Sequence, residues 1–547
     1  MLAPVYSAGT GQSSQSTHQH GTKSAPPASE PSTLQVSVTP WGPTQEAIDA
    51  AKSKLLKTPA VVSYLSGTKH RMISFELIDM QEKLRGRPGP PRAYRAIIYD
   101  YTNGRSLAVE GRFDNNQVDV SVSQDQPVPN DEEFNAALEI LLKDPQLGPP
   151  LRDKRLLAYL SMPPVVESNQ TGDRTERTLR IQLMPLDSSL PQEIVRVNML
   201  RETVLRLSDR PTHAEPKPEA PCGVSGAGQP TTSRGTAGQF EVVVSQGGTE
   251  IWRFIAVRPS ASSGTRGSGI ELIGVDYRGK RVLGRAHAPI LNVQYQNNGC
   301  GPFRDWQWQE GSFVANGTDV ATGFRNCTSP PETILENGTD TGNFRGVGLY
   351  ISGPEVILVS EMEAGWYRYI SEWRFHEDGT IRPRFGFGGV SNNCVCLIHF
   401  HHIYWRFDFD INTPENNIVY ENALRVWPFT LTTEVKRIRD DSFERKWFIQ
   451  NIGTRNTYSI IAPRGDGFAD IFARGDVWVL RNRSTEFDDG HNSTTFNTEA
   501  DLDQFVNGES VQNQDIVVWY AAHFTHDELG GGAAIHIVGP EIVPVTW

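Results

Sequence analysis

Residues 397–411 read LIHFHHIYWRFDFDI. Aromatic and β-branched residues dominate this stretch, which is the composition of a strand and not of a helix. Side chains alternate faces along a strand, so His399 and His401 share one face and His402 takes the other. Two imidazoles at i and i+2 form half of a common metal site, and a remote third ligand closes it. A second stretch, DIVVWYAAHFTHDE at residues 515–528, offers His523 and His526 for that third place. Their three-residue gap suits a helix, yet residues 516–520 read as strand. Spacing alone leaves the choice between them open.

Around these stretches, residues 239–547 carry many short apolar runs broken by Gly, Asn and Asp, for example at 241–244, 282–283 and 356–359. Regular strand signals with few helical stretches predict a large antiparallel β-sandwich. A linker rich in Pro, Gly and Ser precedes it at 211–238. Upstream lies an internal repeat. PTQEAIDAAKSKLLKTP starts at Pro43 and PNDEEFNAALEILLKDP starts at Pro129, 86 residues later. Thr44 and Asn130 stand where each helix needs a cap. After the first helix, strands are expected at 72–80, 94–101 and 118–122. After the second they are expected at 156–162, 178–184 and 194–207. The fold class expected is α+β: small α/β modules at 34–127 and 128–210, then the sandwich as catalytic domain. Residues 1–33, rich in Ser, Gln, Gly, Thr and Pro, read as a disordered tail.

The chain has 547 residues, more than one ordinary domain holds. A net charge of −12 disfavours phosphate backbones and anionic lipid, so neither nucleic acid nor a membrane is an expected partner. No apolar run approaches a bilayer span. No charged start followed by an apolar core opens the chain, which leads us to expect a cytoplasmic protein. Five cysteines, an odd and low count, do not describe a disulfide scaffold. Cys394 and Cys396 read as small residues on one face of a strand.

The stretch from His399 to Asp410 resembles the metal-binding strand of the copper amine oxidases, with His-x-His, four residues, Arg406, then Asp408 and Asp410. In that family the third copper ligand lies eleven residues after the Asp of an Asp-Ile-Val-x-Trp strand. Counting eleven from Asp515 lands on His526. The resemblance therefore implies copper held by His399, His401 and His526. It also implies a calcium site of Asp408, the Phe409 carbonyl, Asp410 and Asp515.

In this family a chain tyrosine is converted to the quinone cofactor topaquinone. EAGWYRYISEWRFHEDG at 363–379 aligns Tyr367 with that tyrosine and Tyr369 with the second tyrosine of the motif. Trp366 stands where relatives have the Asn that helps hold the quinone, Glu363 replaces a Thr, and Arg368 replaces an acid. Tyr295 matches the tyrosine that hydrogen-bonds the quinone. The general base would follow fourteen residues later, at Gln309, an amide that cannot accept the proton. Glu310 or Asp305 then has to supply the carboxylate. The small modules are similar to the two domains that precede the sandwich in the family. Cys300 and Cys327 fall where relatives have a bridged loop, and in an intracellular protein we expect them reduced.

The resemblance implies a homodimeric oxidase that takes a primary amine and dioxygen to aldehyde, ammonia and hydrogen peroxide. Two rivals stand beside it: a copper oxidase or tailoring enzyme with an unmodified Tyr367, and a copper-binding protein without turnover.

Overall fold

A computed structural model of the chain describes residues 34–78, 89–160, 166–171, 174–185, 190, 193–206, 222–226, 235–264, 266–296, 300, 303–423, 426–439, 445–469, 474–483, 486, 502–526 and 536–547. The expected tail at 1–33 and most of the linker at 211–238 lie outside these residues.

Both repeats begin with the caps expected. The Thr44 side chain accepts from the Ala47 amide at 3.3 Å where helix Gln45–Leu55 starts. Asn130 accepts from the Glu133 amide at 2.9 Å where helix Asp131–Lys143 starts. The first helix is followed by an antiparallel sheet of His70–Ile78, Ala93–Asp100, Arg105–Arg112 and Val118–Ser123. Strand Arg105–Arg112 went unread because its Ser, Glu and Gly dilute the β-branched signal. After the second helix, the run expected at 194–207 is a hairpin of Glu193–Asn198 and Thr203–Arg206. Glu202, at φ +55°, turns the chain between them.

Strand Leu34–Pro40, counted with the first module in the sequence, pairs antiparallel with Gln239–Gln246. It forms the edge of a ten-stranded sheet in the large domain. That sheet faces a twelve-stranded one. Buried aromatic side chains join the two. Trp252 Nε1 donates to the His376 carbonyl at 2.8 Å, and Trp373 Nε1 donates to the Ile270 carbonyl at 3.0 Å. Phe254 stacks on Phe375 at 4.1 Å between centroids, and Trp373 meets Phe407 edge-on. The indole N–H groups find carbonyls across the gap, so these large rings are buried without stranding a donor.

The histidine strand His399–Phe409 lies inside the ten-stranded sheet, between Lys280–Tyr295 and Ile516–His526. The tyrosine strand Tyr367–His376 lies inside the twelve-stranded sheet, between Glu355–Ala364 and Ile381–Gly389. Neither is an edge, so neighbours on both sides fix the register of each. No helix among the described residues is long and apolar enough to cross a membrane.

Trp373 is 1% exposed and bridges the sheets that carry His399 and Tyr367. Trp373→Ala is expected to cost about 3–5 kcal/mol, read as a lower midpoint of the large domain's unfolding in urea.

Candidate functional site

Alternation along the histidine strand sends His399 and His401 into the gap between the sheets, both fully buried. In the neighbouring strand Ile516–His526, His526 stands directly opposite His399 in register, and His523 stands opposite His402. Partners in register share a face, so His526 joins His399 and His401 while His523 sits behind the sheet. Ring centroids are 4.9 Å apart for His399 and His401 and 4.5 Å for His399 and His526. Phe387 stacks on His401 at 4.0 Å and meets His526 edge-on at 5.6 Å. Behind the sheet His523 contacts His402, Nδ1 to Nδ1, at 2.8 Å, and pairs with Asp476 at 3.0 Å.

The tyrosine strand brings Tyr367 to the same place. Its hydroxyl lies 2.6 Å from His399 Nε2. His399 Nδ1 lies 2.6 Å from the Leu397 carbonyl, which can only accept, so Nδ1 carries the proton and Nε2 is left as an acceptor. Tyr295, opposite His399 in register, donates its hydroxyl to Tyr367 Oη at 3.0 Å. Trp366 Nε1 donates to Tyr295 Oη at 2.8 Å. A hydrogen-bonded line thus runs from Trp366 through Tyr295 and Tyr367 to His399. Trp366 thus supports Tyr295. Burial pushes the Tyr367 hydroxyl far above the usual phenol range, so it is held as a donor.

Tyr369, 5.5 Å from Tyr367 between centroids, donates to Asp305 Oδ2 at 2.5 Å. Asp305 is 1% exposed, and burial raises its carboxyl to about 7 against the pull of Tyr369 and Arg266. Gln309 and Glu310 are committed elsewhere. Gln309 Oε1 accepts from Trp306 Nε1 at 2.6 Å. Glu310 is fully buried in a two-pronged pair with Arg258, with 2.8 Å on one prong, and also accepts from the Ser260 amide. Glu310, expected as a carboxylate to replace Gln309, thus has both oxygens engaged by Arg258 and Ser260. Arg368 points to a buried pair with Asp340, at 2.7 and 2.9 Å.

At the far end of the histidine strand, ligand oxygens of Asp408, Asp410 and Asp515 all lie within 4.8 Å of one another. This is the group of three acidic, thiol or imidazole side chains that meets that spacing among the described residues; the three histidines do not. Asn482 braces it, donating to Asp408 and Asp515 at 3.4 and 3.2 Å. Phe409, between the two aspartates, turns its ring into the core.

The cysteines correct the sequence reading. Asn393–Cys396 is a 3₁₀ turn and not a strand, so Cys394 and Cys396 leave it in different directions. Cys396 bonds to Cys222 and Cys394 to Cys300. Cys300, expected reduced, is thus bridged, and its partner is not Cys327, which stays free and buried. The composition could not show that four cysteines converge on one turn. Gly223 is required there: its φ is +97°, and a Cβ would fall 2.6 Å from the Gly389 carbonyl. Alkylation of unreduced, unfolded protein should label one thiol, Cys327, and full reduction should expose five; mass spectrometry of the digest checks both.

No family model matches the chain. Among curated proteins it is 24% identical over 252 residues to the copper-containing amine oxidase gamma 1 of Arabidopsis thaliana, covering 34% of this chain and 35% of that one. It is 24% identical over 250 residues to gamma 2 of the same plant, covering 33% and 36%. The match thus spans about a third of the length of each relative. Solved structures agree over far more of the chain. The copper-containing benzylamine oxidase of Hansenula polymorpha superposes with TM-score 0.58 at 15% identity, over 90% of this chain and 96% of that one. The Aspergillus nidulans amine oxidase gives 0.57 at 16%, over 92% and 88%. The chain therefore has the fold of the copper-containing amine oxidases, the family its histidine strand resembles.

Proposed function

We propose that the protein is a copper-dependent oxidase that converts a primary amine and dioxygen to an aldehyde, ammonia and hydrogen peroxide. The observation that carries this reading is the Tyr367 hydroxyl, fully buried and 2.6 Å from His399 Nε2 among three gathered imidazoles. Imidazole donors suit copper, and carboxylates alone would not. His399, His401 and His526 would hold the metal, and Tyr367 would be the precursor of the quinone. Together copper and the quinone supply the electron sink and the dioxygen chemistry. The chain's own residues do the rest. Leu397 orients His399 through Nδ1. Trp366 and Tyr295 fix the hydroxyl side of Tyr367. Phe387 and Phe524 wall His401 from water.

Asp408, Asp410 and Asp515 would bind a hard cation such as calcium, together with the Phe409 carbonyl. The active form would be a homodimer. The two disulfides favour an oxidising compartment over the expected cytoplasm. A second reading, oxidase chemistry on an unmodified Tyr367, is favoured by Trp366, Glu363 and Arg368 at positions where the family motif differs.

Three measurements test this. Copper-loaded, aerated protein should react with phenylhydrazine, and Tyr367→Phe should not; a copper-bound wild type that stays unlabelled selects the unmodified tyrosine. Metal analysis should find copper lost in His526→Ala and kept in His523→Ala, because only His526 shares the face of His399. Benzylamine is the first substrate to try, and peroxide release is the readout.

A further inference from the structure

The reaction proposed above needs a group to take a proton from carbon, and the position the resemblance implies for it holds Gln309. An amide does not serve, and this one is already bonded to Trp306. Among the described buried carboxylates near the tyrosines, Glu310 has both oxygens engaged by Arg258 and Ser260. Glu361 accepts from the Ile334 amide; Glu363 has one oxygen without a hydrogen-bond partner among the described residues, but its other oxygen pairs with Arg368 at 3.6 Å.

Asp305 is built differently. Its amide donates to the Leu291 carbonyl at 2.9 Å, which ties it to the strand that carries Tyr295. The preceding Phe303–Arg304 pairs with Val293 and Asn292 of that strand. Oδ2 accepts from Tyr369. Oδ1 is buried and has no hydrogen-bond partner among the described residues. Leaving a carboxylate oxygen open in the interior costs free energy, so such a group in a well-packed site calls for an explanation. Arg266 shows the matching defect: it is 2% exposed, and its Nε and Nη2 have no hydrogen-bond partner among the described residues.

We propose that Asp305 is the catalytic acid–base of the amine reaction, with Oδ1 receiving the proton and Tyr369 holding Oδ2 so that the carboxylate is aimed. This rests on the oxidase reading above. In the step, the bond between hydrogen and the carbon next to the substrate nitrogen breaks. The proton goes to Oδ1, giving the neutral acid, and the bonding pair is taken up by the tyrosine-derived cofactor, with dioxygen as the final oxidant. Arg266 is a positioning residue whose positive charge favours the ionised form. The charged and titratable groups facing Asp305 are Arg266, Tyr369, Tyr367 and Tyr295, and burial keeps all three phenols protonated. A carboxyl near 7 is suited to giving and taking a proton at neutral pH.

The test uses full-length protein. Asp305→Asn should bind copper and react with phenylhydrazine as the wild type does, while amine turnover falls by about 10²–10⁴-fold. Asp305→Glu should recover part of the loss. In metal-free protein, the wild-type minus Asp305→Asn infrared difference should contain the carbonyl band of a protonated carboxylic acid that fades as pH rises through about 7, while the bands of Glu361 and Glu363 cancel. Arg266→Met removes a positive charge, so the carboxyl should titrate at higher pH and the acid limb of kcat/KM should move up with it. An Asp305→Asn variant that is labelled and turns over amine at the wild-type rate overturns the inference alone. So does one that binds copper but takes no label, which would assign Asp305 to cofactor formation. A wild type that takes copper but no label overturns the oxidase reading and this inference with it.

Discussion

The structure depends on one constraint, the two-residue period of a strand buried on both faces. The strand His399–Phe409 has hydrogen-bonded neighbours on either side and side chains packed above and below. Its odd-numbered residues fill the gap between the sheets, and His402 and Tyr404 fill a smaller core behind, with Trp478 and Trp519. A slip of one residue would exchange these sets and put His402 where His401 stands. Pairing with Tyr295 on one side and His526 on the other resists that slip. The same register brings the site together, because partners in register present their side chains to the same face.

Two environments result on opposite faces of that strand. Facing the gap, imidazoles and phenols lie among Phe387, Phe524 and Trp366, with Asp305 as the nearby carboxylate. Behind the sheet, His523 contacts His402 and pairs with Asp476, which Arg439 also holds. On the gap side, Asp305 and Arg266 have buried polar atoms without a hydrogen-bond partner among the described residues.

Much of this could be read from the residues. The helix caps Thr44 and Asn130, the shared face of His399 and His401, and the sandwich all follow from local patterns with known periods. The choice of His526 was also within reach. Ile516, Val518, Tyr520, Ala522 and Phe524 alternate toward the inner core, and extending that parity reaches His526 and skips His523. The three-residue gap hid this, because it invites a helical reading. What the sequence could not show were relations across long separations. Leu34–Pro40 looks like any short strand, and only its pairing with Gln239–Gln246 assigns it to the large sheet. Glu310 and Asp305 are equally acidic on paper, and Arg258, 52 residues before Glu310, is what distinguishes them.

The turn Asn393–Cys396 carries a consequence for how the chain is made. Its two disulfides close loops of 174 and 94 residues, and both end three to five residues before His399. Because Cys394 and Cys396 are only two residues apart, an exchanged pairing is sterically close to the native one. Correct pairing therefore depends on the sheets having assembled first, with Cys222 and Cys300 already delivered to the turn. A host with reducing cytosol would yield chains in which the segment leading into His399 is untethered, and a host that oxidises early would yield a mixture of pairings. Under the proposed function, the copper content of a preparation would then record its oxidative history as well as its ligands.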